Sequence, residues 1–362
     1  MKAIIVSAPR AVSLREVEKP APRAGWALIR VLTAAFCATD LEVISGEIKA
    51  KYPITPGHEW CGVVEAVNCG DGADDACCES GEIGASSANR GGESWIGKTV
   101  VASNDVCCLT CPACRSGLWR NCPDFGEIGF AYNGAYAEYM TAPLYALREL
   151  PPAVSHIQAA MLEPLGVALG TFDKVNAKMG ETMLIFGAGS IGLNMLAAAK
   201  AAGLRRVTVV ERSGGRLEIA KKMGATHTFA GNKCDLQAEI KKAYPNGPDI
   251  IIECTGAEDC LRLALSVAPK SGRIALAGYG RGKNMNVRID DLHIKNLVVS
   301  GSGNNWNVVD RALGLVSDGI INTECLCTNV FCGLDEYEKV VKMAAERPPG
   351  FVKAIFDMRG GA

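Results

Sequence analysis

Met183-Leu184-Ile185-Phe186-Gly187-Ala188-Gly189-Ser190-Ile191-Gly192 is the stretch that decides the fold. Four consecutive apolar residues predict a buried strand. The G-x-G-x-x-G that follows opens a helix expected over 191–202, the context in which this spacing binds a dinucleotide. Gly187 permits the tight turn, Gly189 lets the backbone approach a pyrophosphate, and Gly192 lets the helix pack closely on the strand. Ser190 and Ile191 begin the helix whose positive terminus faces the phosphates. The next strand, 206–210, leads to Glu211, about 20 residues beyond the glycine loop, where an acid accepts both ribose hydroxyls of NAD. Arg212 and Arg216 keep NADP as the alternative, because an arginine beside that acid can bind a 2'-phosphate. Arg216 can equally pair with the NAD phosphates or solvate a helix.

Outward from this loop the pattern alternates strand and helix, with a helix over 215–223 and further strands over 249–253, 273–277 and 298–301, which predicts a parallel sheet. Residues 1–150 read differently: short β-branched runs at 27–31, 61–67 and 99–102 are separated by Gly, Pro and Asn, and helix signals are weak. The fold class is therefore α/β, a β-rich unit followed by a doubly wound one. Residues 70–94 carry Gly, Ser, Ala and acid with almost no large apolar side chain, and are expected to form an inserted surface loop. Cys77 and Cys78 are its only metal-competent thiols.

The chain has 362 residues, 48% of them hydrophobic, enough for a large core and two domains. Its 38 basic and 39 acidic side chains are interspersed, so no basic field exists to hold nucleic acid or an anionic membrane, and the expected partners are small molecules. The first residues lack the features of a signal peptide, and no apolar run is long enough to span a bilayer, which leads to an expectation of a cytoplasmic protein. In that compartment the 16 cysteines are expected to be metal ligands or buried thiols rather than disulfides. Cys234, Cys254 and Cys260 are read as small buried hydrophobes.

Cys108, Cys111, Cys114 and Cys122 stand in the spacing C-x2-C-x2-C-x7-C, which lets four thiolates from one loop close a tetrahedral zinc site with no open position. Cys107 falls outside the spacing. A second set, Cys37, His58, Glu59 and Glu163, comprises zinc-ligand types drawn from separate segments, a composition that suits an open catalytic site. Taken singly, each is more commonly a buried thiol, a hydrogen-bonded histidine or a helix-capping acid.

Cys37-x-Thr39-Asp40, Gly57-His58-Glu59, the Cys108 to Cys122 lobe, Asn133-Gly134-Ala135-Tyr136-Ala137-Glu138-Tyr139, Glu163-Pro164 and the glycine loop occur in one order. In this order the chain resembles the zinc-dependent medium-chain dehydrogenase/reductase superfamily, in its polyol (sorbitol) and threonine dehydrogenase branch, over nearly its whole length. The resemblance implies a GroES-like catalytic domain of residues 1–152 and 303–362 around a Rossmann domain of residues 153–302, in a homodimer or homotetramer. It implies two zincs per subunit. Cys37 and His58 hold the catalytic one, with Glu163 bound directly or through water and Glu59 able to exchange with it, and the four-cysteine lobe holds the structural one.

The implied activity is hydride transfer from a secondary alcohol of a polyol, cyclitol or sugar to NAD+, giving the ketone. Zinc lowers the pKa of the hydroxyl, and Thr39 receives its proton and passes it outward. The glutamate at position 163 favours the polyol reading. Oxidation of L-threonine or another amino alcohol, and aldose 1-dehydrogenation, are the alternatives. A non-enzymatic alternative is a zinc-lobe binding module on a redox-sensing Rossmann domain. One departure stands out: threonine dehydrogenases carry histidine where this chain has Glu42. That puts the proton relay in question, and Glu42 is read by default as a solvated surface acid. Phe36, Trp60, Phe130, Tyr132, Asn304 and Asn305 are candidate pocket walls.

Overall fold

In the computed structural model, which describes residues 1–70, 92–232, 235–302 and 308–360, Thr182–Phe186 is a central strand of a six-stranded parallel sheet. It is buried along its whole length. That is why its sequence is continuously apolar rather than alternating. The other strands are Arg206–Glu211, His227–Ala230, Ile250–Glu253, Arg273–Leu276 and Val298–Gly301. Counted in chain order they stand 3-2-1-4-5-6 across the sheet. The order reverses between the first and fourth strands, which opens a crevice at their carboxyl ends. The five expected strands are all present. His227–Ala230 was not marked by the sequence because it is short and has no buried face.

The glycine loop turns directly into the helix Ser190–Ala201, which packs along the helix Leu162–Lys174. The expected helix at 215–223 is Gly214–Lys222. The helix Val308–Ser317 buries Val309, Ala312 and Val316 against Leu162, Leu165 and Leu169.

A second sheet has seven strands. Its path runs Cys327–Cys332, Lys353–Asp357, Trp26–Phe36, Glu59–Asn68, Thr99–Ala102 and Leu147–Glu149, with Tyr139–Pro143 paired to the first half of Trp26–Phe36. The last strand of the chain therefore lies beside an early one. Ala35 faces Glu59 on one side and Ile355 on the other. Trp26, Ile29, Phe36, Trp60, Tyr136 and Phe356 form the core of this part. The helix Ala38–Ser45 begins where Trp26–Phe36 ends and closes at Gly46, whose φ of 86° suits glycine.

Most of the expected insertion at 70–94, with Cys77 and Cys78, lies outside the described residues, as do Cys234, Asn304 and Asn305. Its far end forms a short 3-10 turn, Gly92–Trp95, anchored by the buried Trp95. Cys254 and Cys260 are half-buried and pack on the parallel sheet's two faces, as expected of small hydrophobes. Among the described residues no helix is long and apolar enough to cross a membrane.

Candidate active site

Cys37 follows the strand Trp26–Phe36 and is the N-cap of the helix Ala38–Ser45, while His58 and Glu59 stand at the start of the neighbouring strand. Pairing of the two strands brings them together. Sγ of Cys37, a ring nitrogen of His58 and a carboxylate oxygen of Glu59 all lie within 4.8 Å of one another. Gly57 makes the approach to His58 possible: its φ is 100°, and a Cβ there would lie 2.7 Å from the Tyr136 ring. Oγ1 of Thr39 is 3.4 Å from the Cys37 sulfur.

Asp40 organises this cluster. It is fully buried; its Oδ2 accepts the Cys37 backbone N–H at 3.0 Å and the Tyr136 hydroxyl, and its Oδ1 lies 3.5 Å from Nδ1 of His58. Neither Oδ1 nor Nδ1 has a hydrogen-bond partner of its own among the described residues. A carboxylate facing one imidazole nitrogen fixes the tautomer and turns the other nitrogen to a metal. Burial opposes charge on His58, but Asp40 and Cys37 more than offset it and hold its pKa well above the usual range. Asn104 donates to the His58 carbonyl and accepts the Trp60 indole N–H at 3.2 Å, and the Phe130 ring lies 5.2 Å from the imidazole.

Lys353 belongs to no motif that marks it in advance. Its Nζ donates to both oxygens of Glu59 at 2.7 Å, and both side chains are almost fully buried. Burial works against the ammonium, yet the charges of Glu59, Cys37 and Glu163 outweigh it and raise its pKa. Glu163, in the first turn of Leu162–Lys174, stands outside the 4.8 Å group but within its electrostatic reach. Burial pushes its carboxyl up to about 7, Glu59 adds to the rise, and His58 and Lys353 oppose it.

The four sulfurs of Cys108, Cys111, Cys114 and Cys122 also lie within 4.8 Å of one another. Backbone N–H groups converge on them: Cys111 on Sγ of Cys108 at 3.3 Å, Cys114 on Sγ of Cys111 at 3.4 Å, and Cys108 on Sγ of Cys122 at 3.5 Å. Hydrogen bonds from Thr110 bring Cys108 down to about 6, whereas burial pushes the Cys114 thiol up. Cys107 packs beside the lobe but turns its sulfur to the Trp119 carbonyl at 3.6 Å, outside the quartet.

At the nucleotide end, Gly187 has a φ of 98°, and a Cβ on Gly192 would lie 1.9 Å from the Gly187 oxygen. Gly189 faces open space, and Oγ of Ser190 has no partner among the described residues. The Glu211 carboxylate accepts backbone N–H groups from Ala188 at 2.8 Å, Arg212 at 2.8 Å and Ser213 at 3.0 Å, so the acid is tied to the glycine loop itself. Arg212 is exposed. Arg216 donates through Nε to the Phe351 carbonyl at 2.6 Å and stands 3.9 Å from Glu211.

Two expectations are revised by these positions. Glu42 is not a solvated acid: it is 7% exposed and its Oε1 accepts from Nε of Arg281 at 3.1 Å. Tyr132 packs on Trp26 at 5.4 Å and lines a separate cavity of about 480 Å³ with Met1, Glu18 and Lys51. Phe36 and Trp60 are buried packing residues around the cluster, and Phe130 is the candidate wall in contact with His58.

Residues 23–152 match the family model of the alcohol dehydrogenase GroES-like domain, and residues 190–318 that of the zinc-binding dehydrogenases. An L-threonine 3-dehydrogenase of Pyrococcus horikoshii is 30% identical over 96% of this chain and 95% of its own. The chain belongs to the zinc-dependent medium-chain dehydrogenases. A sorbitol dehydrogenase of Bacillus subtilis is 26% identical over 96% of this chain and 94% of its own. Among solved structures, an Escherichia coli alcohol dehydrogenase complexed with NADH superimposes with a TM-score of 0.86 at 26% identity. A Sinorhizobium meliloti zinc-binding dehydrogenase bound to NADP does so with 0.85 at 27%, and each match covers 99% of both chains. The dehydrogenase is a zinc-dependent alcohol oxidoreductase, and its likeness to enzymes along its whole length leaves the reading as a non-enzymatic binding module without support.

Proposed function

We propose that this dehydrogenase oxidises a secondary hydroxyl of a polyol, cyclitol or sugar to the ketone, with NAD+ as hydride acceptor. The observation that carries the reading is the convergence of Cys37, His58 and Glu59 with the enclosed carboxyl of Glu163 beside them. The likeness to sorbitol dehydrogenase supports the substrate class. L-threonine or another amino alcohol is the second reading, favoured by the 30% identity to a threonine dehydrogenase.

The donor sets fit zinc: a cysteine sulfur, an imidazole oriented by an Asp40 oxygen that has no hydrogen-bond partner among the described residues, and a carboxylate at one site, and four cysteine sulfurs met by backbone N–H groups at the other. Cys37, His58 and Glu59 or Glu163 would hold the catalytic ion, and Cys108, Cys111, Cys114 and Cys122 the structural one, two per subunit. When bound, zinc supplies a Lewis acid that lowers the pKa of an alcohol, and NAD supplies the hydride acceptor. Thr39, beside Cys37, would accept the substrate proton at its hydroxyl while giving up its own outward, so that it relays the proton and stays neutral. Asp40 keeps His58 in one tautomer, and Lys353 neutralises Glu59 so that one carboxylate charge fewer faces the site. Gly187, Gly189, Ser190, Ile191 and Gly192 cradle the dinucleotide phosphates, and Glu211 holds the ribose hydroxyls. The acid at 211, tied to the glycine loop, favours NAD over NADP, and Nε of Arg216 is engaged by the Phe351 carbonyl.

The GroES-like unit is assigned to residues 1–152 and 303–362, and the Rossmann unit to 153–302. The pairing of Lys353–Asp357 with Trp26–Phe36 supports the division. The enzyme is assigned as a cytoplasmic homodimer or homotetramer. Its outermost parallel strand, Val298–Gly301, with exposed Ile294 and Val298, suits a subunit contact. Zinc per subunit and NAD+ reduction are measured with polyols, inositols, aldoses and threonine; absence of turnover with every alcohol by fully metallated protein would overturn the proposal.

A further inference from the structure

The glycine loop would meet a dinucleotide from one side only, and two arginines stand elsewhere along the same cleft. The loop after the fifth parallel strand, Gly278-Tyr279-Gly280-Arg281-Gly282, is pressed onto the loop after the fourth. A Cβ on Gly278 would lie 2.1 Å from the Gly256 nitrogen, and one on Gly256 would lie 2.0 Å from the Tyr279 oxygen. This packing fixes the base of the loop and leaves Tyr279 and Arg281 exposed at the carboxyl edge of the sheet, where open α/β folds bind their ligands. Arg281 has a φ of 52°, so the backbone is held in a conformation that L-residues seldom adopt.

From there Arg281 reaches across the cleft to Glu42, on the helix that starts at Cys37. A second helix, Tyr337–Glu346, packs on Ala38–Ser45 and ends at Arg347, which has a φ of 49° and an exposed side chain. The turn that follows reaches the glycine-loop side: the Gly350 N–H donates to Oγ of Ser213 at 3.5 Å, two residues beyond Glu211, which sets Arg347 within electrostatic reach of Arg281, Glu211 and Glu42. The two arginines thus stand in the span between the acid tied to the glycine loop and the helix of the metal cluster. A dinucleotide with its ribose at Glu211 and its reactive ring at the metal carries its two phosphates through that span.

We propose that Arg281 and Arg347 bind the cofactor's pyrophosphate, and that Glu42 is a positioning residue that holds Arg281 until phosphate takes its place. This rests on the dinucleotide reading above. Guanidinium is suited to the exchange because its planar fork pairs with carboxylate and phosphate oxygens alike. Glu42, left without its partner, then repels the phosphates, so its charge opposes binding.

The test measures equilibrium binding of NADH, ADP-ribose and AMP to the zinc-loaded enzyme. Arg281→Ala and Arg347→Ala are each expected to weaken NADH and ADP-ribose about ten-fold. Arg281→Ala is expected to leave AMP within about two-fold, because AMP lacks the second phosphate. Glu42→Gln is expected to tighten NADH binding several-fold, a gain that a damaged fold does not produce. Wild-type enzyme that binds no NADH would remove the dinucleotide reading itself. Wild-type enzyme that binds NADH, with both arginine variants unchanged, would overturn this inference alone. An equal loss of AMP affinity in Arg281→Ala, or weaker NADH binding in Glu42→Gln, would overturn the role given to that residue.

Discussion

Lys353 stands in the run Val352-Lys353-Ala354-Ile355-Phe356, where every other residue is apolar and buried, and its ammonium ends on both oxygens of Glu59. Removing one member of a buried pair leaves the other charged and unpaired. Lys353→Met is therefore expected to cost about 3–5 kcal/mol in urea unfolding, with part of the loss recovered by adding Glu59→Gln. Replacing Cys37 with Ser is expected to abolish turnover and lower the zinc content from two to one per subunit while the fold persists; loss of both ions would contradict the division between the two sites. A third residue-scale effect concerns Asp105, 4% exposed, whose carboxyl burial raises to about 6, with Glu127 adding and Arg120 opposing. A raised folded pKa favours the protonated form, so this contribution is present below the unfolded value of about 3.9 and is lost as pH rises through about 6. Asp105→Asn is accordingly expected to stabilise the protein by roughly 1–3 kcal/mol at pH 8 and to change little at pH 4, as measured by urea midpoints at the two values.

At the scale of elements, the turn from Thr182–Phe186 into Ser190–Ala201 works because nothing projects from Gly192 toward Gly187. Gly192→Ala places a methyl 1.9 Å from a carbonyl oxygen. The helix must move away from the strand, and NADH binding is expected to fall below detection in a fluorescence titration even where the rest of the sheet survives. The cysteine lobe is the other self-contained element. Its ligands lie within fifteen residues of chain, from Cys108 to Cys122, and its interior holds little beyond the sulfurs, Leu109, Trp119 and Phe125. Metal must therefore supply much of its stability. Cys111→Ser is expected to leave turnover measurable, lower zinc by one per subunit and open the lobe to limited proteolysis. Both elements were readable in advance, because their partners are neighbours in sequence: a turn constrains residues two to five apart, and a four-thiol loop advertises its spacing.

For the whole molecule, the C-terminal strand is the tie. Lys353–Asp357 sits between Cys327–Cys332 and Trp26–Phe36 and buries Phe356 completely, so a chain ending at residue 350 is expected to yield no folded GroES-like unit, as judged by solubility and near-UV circular dichroism. The sequence by itself determined the parallel sheet, the glycine turn, the acid at its second strand and the closed thiol quartet, since each depends on local periodicity or spacing. It supplied Cys37, His58, Glu59 and Glu163 as ligand types but no reason for them to meet. Strand register brought the first three within 4.8 Å and left Glu163 outside that group. Tertiary structure alone decided that Glu59 is held by a lysine 294 residues away and that Glu42, expected in solvent, is buried against an arginine 239 residues away. The physical reason is one of range: a hydrophobic pattern or a turn acts over a few residues, whereas a charge buried in a sheet is satisfied by whatever the fold sets beside it.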